Sequence, residues 1–266
     1  MNNRPIGIFD SGVGGLTVVK EVMKRLPCED VVYFGDTARV PYGSKSVETV
    51  TRFSRQIMCF LLSRGVKAVI IACNTVCSNS YQTLVEEFDI PILEMIGCGA
   101  RAGIAATKNN RIGVIGTQAT IRSGAYEKTF AAQAPEIQVF SKACPLFVPL
   151  AEEGWTDNGI ARDTAKTYIS GLIEKQIDTL VLGCTHYPLL MPCIESTVGE
   201  SVRVVNPAVL AAEQAELFLR EKNLLKSGKT ASAEFFISDR TDSFQKISGL
   251  LLGEEKAAEL VDIESY

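Results

Sequence analysis

Cys73 and Cys184 stand in matching settings, each just after a short apolar run and just before two hydrogen-bonding residues, Asn74-Thr75 and Thr185-His186. A thiol so placed can act as an acid or base, as a nucleophile once ionised, as a metal ligand, or as a small hydrophobe in a core. His186 is the single histidine of the chain, which excludes any mechanism or metal site needing two imidazoles. Zinc would require Cys73, Cys77, Cys184 and His186 together. A Cys-x3-Cys pair across a strand–helix junction turns its thiols apart, and the second pair would have to cross to meet it. We therefore expect no metal. Cys77 is read as packing on the helix after Cys73. A disulfide between Cys73 and Cys184 conflicts with a reducing compartment. Catalysis or plain packing remain the two readings of these thiols.

Asp10-Ser-Gly-Val-Gly-Gly-Leu-Thr17 reads as a strand end running through glycines into a helix. The glycines allow close backbone approach, and the helix start offers free N–H groups to an anion. It departs from a dinucleotide fingerprint at Thr17, where the third glycine belongs. The plainer alternative is a turn capped by Asp10 or Ser11. Asp36-Thr-Ala-Arg-Val-Pro-Tyr-Gly-Ser-Lys45 is a polar loop between a strand and a helix. Tyr42, Gly43 and Ser44 can offer donors to a carboxylate there, or the segment can be an ordinary connection. Ser227-Gly-Lys-Thr230 has the tail of a phosphate-binding loop, but Asn223 occupies the required first glycine position, so it is read as an exposed turn.

These residues must be held by elements. Apolar runs at 6–9, 31–34, 68–72, 90–93, 112–115, 137–140, 179–182, 202–205 and 234–237 predict strands, several without alternation, as in parallel strands covered on both faces. Helical spacing covers 17–26, 47–64, 78–88, 121–132, 164–175 and 210–219. The alternation predicts an α/β fold with mostly parallel sheets. Residues 65–75 can be laid over 176–186, and 6–11 more faintly over 112–117, so two similarly built lobes are expected. Lobe 1 is taken as 1–96 plus 208–266 and lobe 2 as 97–207. Ligands bind outside the carboxyl ends of parallel strands, so facing lobes would present one thiol each to a shared cleft, from opposite sides.

A chain of 266 residues corresponds to about 1.8 domains at roughly 150 residues each. The balance of 27 Lys plus Arg against 31 Asp plus Glu leaves a net charge of −4, and no basic stripe suited to a phosphate backbone is present. Nucleic acid is not expected as a partner. The longest apolar run, 68–73, falls far short of the roughly 18 residues of a membrane span, and the start lacks the pattern of a secretory signal. A cytoplasmic protein is expected, with its eight cysteines free and mostly buried.

Ile8-Phe-Asp-Ser-Gly-Val-Gly-Gly-Leu16, Asp36-Thr-Ala-Arg-Val-Pro-Tyr-Gly43, Ala72-Cys-Asn-Thr75 and Gly183-Cys-Thr-His-Tyr-Pro188 occur in this order. With all four, the chain resembles the glutamate racemases; single motifs are shared with aspartate and hydantoin racemases. The resemblance implies cofactor-independent conversion of L-glutamate to D-glutamate for peptidoglycan, in a protein that is commonly a homodimer. It implies Cys73 and Cys184 as the two acid/base residues, assisted by Asp10 and His186 respectively. Ser11, Tyr42, Gly43, Asn74, Thr75 and Thr185, with Thr117, Asp10 and His186, would bind the substrate. Glu152 corresponds to a family position near His186. Aspartate is the alternative substrate, and a non-catalytic two-lobed binding protein the alternative of another class. Racemisation suits two thiols because a proton leaves one face of the α-carbon and returns to the other. A free cysteine, of pKa about 8.5, is only a few per cent thiolate at neutral pH, so the site must favour the anion.

Overall fold

Strands buried on both faces need apolar residues at every position, and the unbroken runs fold accordingly into two parallel sheets. The computed structural model describes residues 2–228 and 230–266. Strands β1 (Ile6–Asp10), β2 (Val31–Gly35), β3 (Ala68–Ile71) and β4 (Ile92–Glu94) lie in the order β2-β1-β3-β4. Strands β5 (Arg111–Gly116), β6 (Gln138–Ala143), β7 (Thr179–Gly183) and β8 (Arg203–Val205) lie in the order β6-β5-β7-β8. The two windings are the same. Strand β1 thus corresponds to β5 and β3 to β7, which are the segments that align within the sequence. Strands β9 (Ala233–Ile237) and β10 (Glu259–Leu260) extend the first sheet beyond β2, and every strand pairing is parallel.

Helices α1 (Leu16–Arg25), α2 (Val47–Ser63) and α3 (Asn74–Glu87) belong to the first sheet, and α4 (Met95–Ala106) packs on the second, against β7 and β8. Then come α5 (Gln118–Arg122), α6 (Ala125–Gln133), α7 (Phe147–Glu152), α8 (Gly159–Ile173), α9 (Met191–Val198), α10 (Pro207–Glu221) and α11 (Asp242–Leu252). Helix α10 packs against both α1 and α4. Helix α2 shows why such segments form. Ser46 caps it by accepting from the Thr49 N–H, and Val50, Phe53, Ser54, Ile57, Met58 and Leu61 recur on its buried face.

Several boundaries differ from the sequence expectation. Helix α3 opens at Asn74, not 78, so Asn74 and Thr75 lie in its first turn directly after Cys73. The helix expected over 121–132 breaks at Gly124, whose φ of 64° starts α6 afresh. Helix α4 escaped notice because glycines at 97, 99 and 103 weaken its helical signal; helices α7, α9 and α11 and strand β10 were not anticipated either. Cys59 is exposed and Cys28 half-buried, so packing does not account for them. In the expected turn at 227–230, Ser227, Gly228 and Thr230 are exposed, and Lys229 lies outside the described residues. Among the described residues no helix is long and apolar enough to cross a membrane.

At the amino ends of the strands, away from the cleft, Lys67 and Glu29 form a fully buried ion pair. The Lys67 ammonium also donates to the carbonyls of Asn2 and Leu224, at 3.0 and 2.8 Å, while Glu29 accepts from the Lys226 N–H at 2.7 Å. Breaking such a pair from one side strands a charge in the interior. Lys67→Met is expected to destabilise the protein by about 3–5 kcal/mol in urea unfolding followed by circular dichroism, and a loss below about 1 kcal/mol would show the pair to be dispensable.

Candidate active site

The four central strand ends converge. Strand β1 runs out at Asp10 into Ser11, β3 is followed by Ala72 and Cys73, β5 by Thr117 and β7 by Cys184. In each sheet these belong to the inner pair where the winding reverses, which is where open α/β sheets receive ligands. A cavity of about 270 Å³ lies between the two sets of strand ends. Cys73 and Cys184 both line it, as do Ser11, Tyr42, Gly43, Asn74 and Thr75 from the first half. Thr117, Glu152, Thr185 and His186 line it from the second. Of the residues expected at the site, only Asp10 does not reach the cavity surface.

Asp10 is wholly buried beneath it. Its carboxylate accepts from the Gly12 N–H at 3.2 Å and from the Thr185 hydroxyl at 3.2 Å. The anion held at this helix start is therefore the chain's own, and the glycine motif is not an open ligand cradle. The glycines have a packing reason instead. A Cβ on Gly14 would lie 2.5 Å from both His186 Nδ1 and Thr185 Oγ1, so the bare backbone lets the second half come close. Thr17 Oγ1 closes the same seam by donating to the Thr185 carbonyl at 3.1 Å.

Around the thiols, the Cys73 Sγ–H donates to Ser11 Oγ at 3.4 Å. Cys184 Sγ lies 3.9 Å from His186 Nδ1, and His186 Nε2 lies 3.0 Å from Glu152 Oε1. Cys77 turns away, its thiol donating to the Ile71 carbonyl at 3.3 Å. The loop at 36–45 forms one wall through Val40, Pro41, Tyr42, Gly43 and Ser44. Buried Asp36, which was not singled out from the sequence, fixes that wall by accepting from the Tyr42 hydroxyl, from Arg39 Nε and from Ser238 Oγ. Arg39 in turn stacks 4.0 Å over the Phe53 ring. Gln118, Pro145, Val148 and Pro149 complete the lining and were also unforeseen. Gln118 directly follows Thr117 and Pro149 stands three positions before Glu152, but Pro145 and Val148 carried no signal in the sequence.

The model of the family described as Asp/Glu/Hydantoin racemase matches residues 16–215. The chain belongs to this family. It is 51% identical over 251 residues to glutamate racemase of Geobacter metallireducens, a match covering 94% of this chain and 93% of that one. A glutamate racemase of Francisella tularensis, solved in complex with D-glutamate, superposes with a TM-score of 0.93 at 39% identity, covering 100% of both chains. A glutamate racemase isoform of Bacillus anthracis superposes at 0.95 with 38% identity, covering 98% of each. The two-lobed α/β architecture of this racemase-family chain is thus that of its solved relatives.

Burial dominates the electrostatics of the cavity in this racemase-family chain. It pushes the Cys73 thiol up to about 12, with the negative charge of Asp10 adding to the effect and the Ser11 and Val76 contacts opposing it. Burial likewise raises Asp10, against the attraction of His186 and the amides of Gly15 and Gly12. For His186 burial works against the imidazolium, but the hydrogen bonds to Cys184 and Glu152 outweigh it and push the ring up to about 10. An imidazolium donates from both nitrogens, so His186 can serve Cys184 and Glu152 together.

A histidine raised on folding contributes stability that is fully present below its unfolded value of about 6.5. That contribution is lost as the pH rises through about 10. Because the chain has one histidine, a single imidazole resonance should titrate near 10 in NMR, and Glu152→Gln should move the midpoint down. A midpoint near 6.5 in the unsubstituted protein would contradict the contacts of His186 with Cys184 and Glu152.

Proposed function

We propose that this chain is a glutamate racemase that works by proton transfer between two cysteines, without a cofactor. The observation supporting this reading is that Cys73 and Cys184 follow equivalent strands of two like-wound sheets and line one small cavity. Full-length relatives sharing half of the residues are named for glutamate, which favours it over aspartate.

In this reading the α-carbon of glutamate sits between the sulfurs. The thiolate on one face takes the α-proton, breaking the C–H bond and forming S–H. The thiol on the other face gives its proton to the planar carbanion, leaving a thiolate behind. The roles exchange for the opposite enantiomer. His186, held by Glu152, serves the Cys184 side, and Asp10 serves Cys73 from beneath. No Lys or Arg lines the cavity among the described residues. The hydroxyls of Ser11, Thr75 and Thr117, the side-chain amide of Asn74 and the backbone amides of Tyr42, Gly43 and Thr185 therefore take the substrate's carboxylates and the charge developing at the α-carbon, the Tyr42 and Thr185 hydroxyls being held by Asp36 and Asp10. The substrate's ammonium supplies a positive charge that favours the thiolate, and exclusion of water strengthens each of these contacts.

The reading includes a cytoplasmic homodimer supplying D-glutamate for peptidoglycan, with its lobes at 1–96 plus 208–266 and 97–207. The test is circular dichroism of D-glutamate and of L-glutamate, incubated separately with chelator-dialysed protein. Both signals are expected to decay to zero. Retention of the glutamate signal with decay of aspartate would reassign the substrate. Cys73→Ser and Cys184→Ser are each expected to lose about 10²–10⁴-fold in rate, and full activity in either variant would overturn the two-base mechanism.

A further inference from the structure

Tyr126 has no part in the mechanism above, yet it touches both thiol-bearing turns. It lies near the start of α6, where the break at Gly124 sets its direction, and its side chain is 1% exposed. On one side it reaches the first half of the molecule, where its hydroxyl donates to Asn74 Oδ1 at 2.8 Å. Asn74 directly follows Cys73. On the other side the ring lies against Gly183, which directly precedes Cys184; a Cβ there would stand 3.0 Å from Tyr126 Cε2. Gly99 makes further room, since its Cβ would stand 2.8 Å from the Tyr126 hydroxyl. Two glycines on two elements thus leave space for one aromatic ring, and the single polar group of that ring is spent on Asn74.

The hydrogen bond decides which way the Asn74 amide faces. Because Tyr126 donates, Oδ1 is turned inward toward it and Nδ2 is left for the other side. That nitrogen has no hydrogen-bond partner among the described residues, and Asn74 lines the cavity. Burial holds the Tyr126 hydroxyl well above its ordinary range, with the charge of Glu94 adding to the effect, so it remains a donor at any working pH.

We propose that Tyr126 is a positioning residue: by donating to Asn74 Oδ1 it holds the amide nitrogen toward the cavity, as a donor to a substrate carboxylate. The proposal rests on the glutamate racemase reading. A contact made equally to bound substrate and transition state acts on KM and leaves kcat alone. The experiment compares the intact protein with Tyr126→Phe, Asn74→Ala and the double variant, measuring kcat and KM for both enantiomers. Tyr126→Phe keeps the ring, so thermal unfolding reports any purely structural cost separately. KM for glutamate is expected to rise about tenfold, or about 1.4 kcal/mol, with kcat within about twofold; this is the scale of one buried hydrogen bond. In the Asn74→Ala background the same substitution should alter KM by less than about twofold, since the two act as one unit.

An unchanged KM, a loss confined to kcat, or an equal loss in the Asn74→Ala background would overturn the proposal. Absence of turnover in the unsubstituted protein would overturn the functional reading, and this assignment with it. Normal turnover with additive substitutions would overturn the assignment alone.

Discussion

Two parallel sheets meet by their carboxyl edges, and the contact is close enough for a carboxylate at the end of β1 to accept from a hydroxyl just past the end of β7. The site depends on that closeness. Parallel strands leave their last amides and side chains without partners at the carboxyl edge, and in a single sheet those groups face water or a ligand. Here two such edges face each other, so the leftover groups of one half satisfy those of the other. Asp10 takes the Thr185 hydroxyl, Thr17 takes the Thr185 carbonyl, and Tyr126 takes the Asn74 amide. Gly14 is what makes the approach sterically possible, because any side chain there would strike His186 and Thr185.

The same closeness sets the electrostatics. Buried groups resist carrying charge, so Cys73 and Asp10 are both raised, and His186 stays cationic only through its two partners. The two thiols are therefore not in identical surroundings despite equivalent positions in the winding. One has a carboxylate beneath it and a serine beside it; the other has an imidazole braced by Glu152. The shared architecture fixes where the sulfurs stand, and the residue after each strand end decides how protons are handled there.

The loop at 36–45 shows how a flexible-looking segment becomes a wall. Its turn hydrogen bonds, such as the Asp36 N–H to the Asp10 carbonyl, are joined by Asp36, which collects the Tyr42 hydroxyl, Arg39 and Ser238 at one buried carboxylate. Ser238 comes from just beyond β9, so a strand added at the far side of the sheet helps hold the cavity's edge. An extension that looks peripheral in the topology is thereby coupled to the site.

Much of this was legible in the sequence alone. Apolar runs marked nine strands to within three residues, most sharply the inner strands β1, β2, β3, β5 and β7, where burial on both faces demands unbroken hydrophobicity. The internal repeat anticipated two equal windings, and the residues after the strand ends were identified from type and position. Helices with glycine, proline or few apolar positions, such as α4, α7 and α9, were not legible, since their stability comes from the surfaces they pack on. What only the tertiary structure decided was which groups face each other across the seam. It put Asp10 below the cavity, spent the glycines of the 10–17 motif on approach to His186, and brought in Asp36 and Tyr126. Periodicity and motif spacing describe a chain along its own length, whereas the contacts from Asp10 to Thr185, Asp36 to Ser238 and Tyr126 to Asn74 join residues more than fifty positions apart and exist only once the sheets have formed.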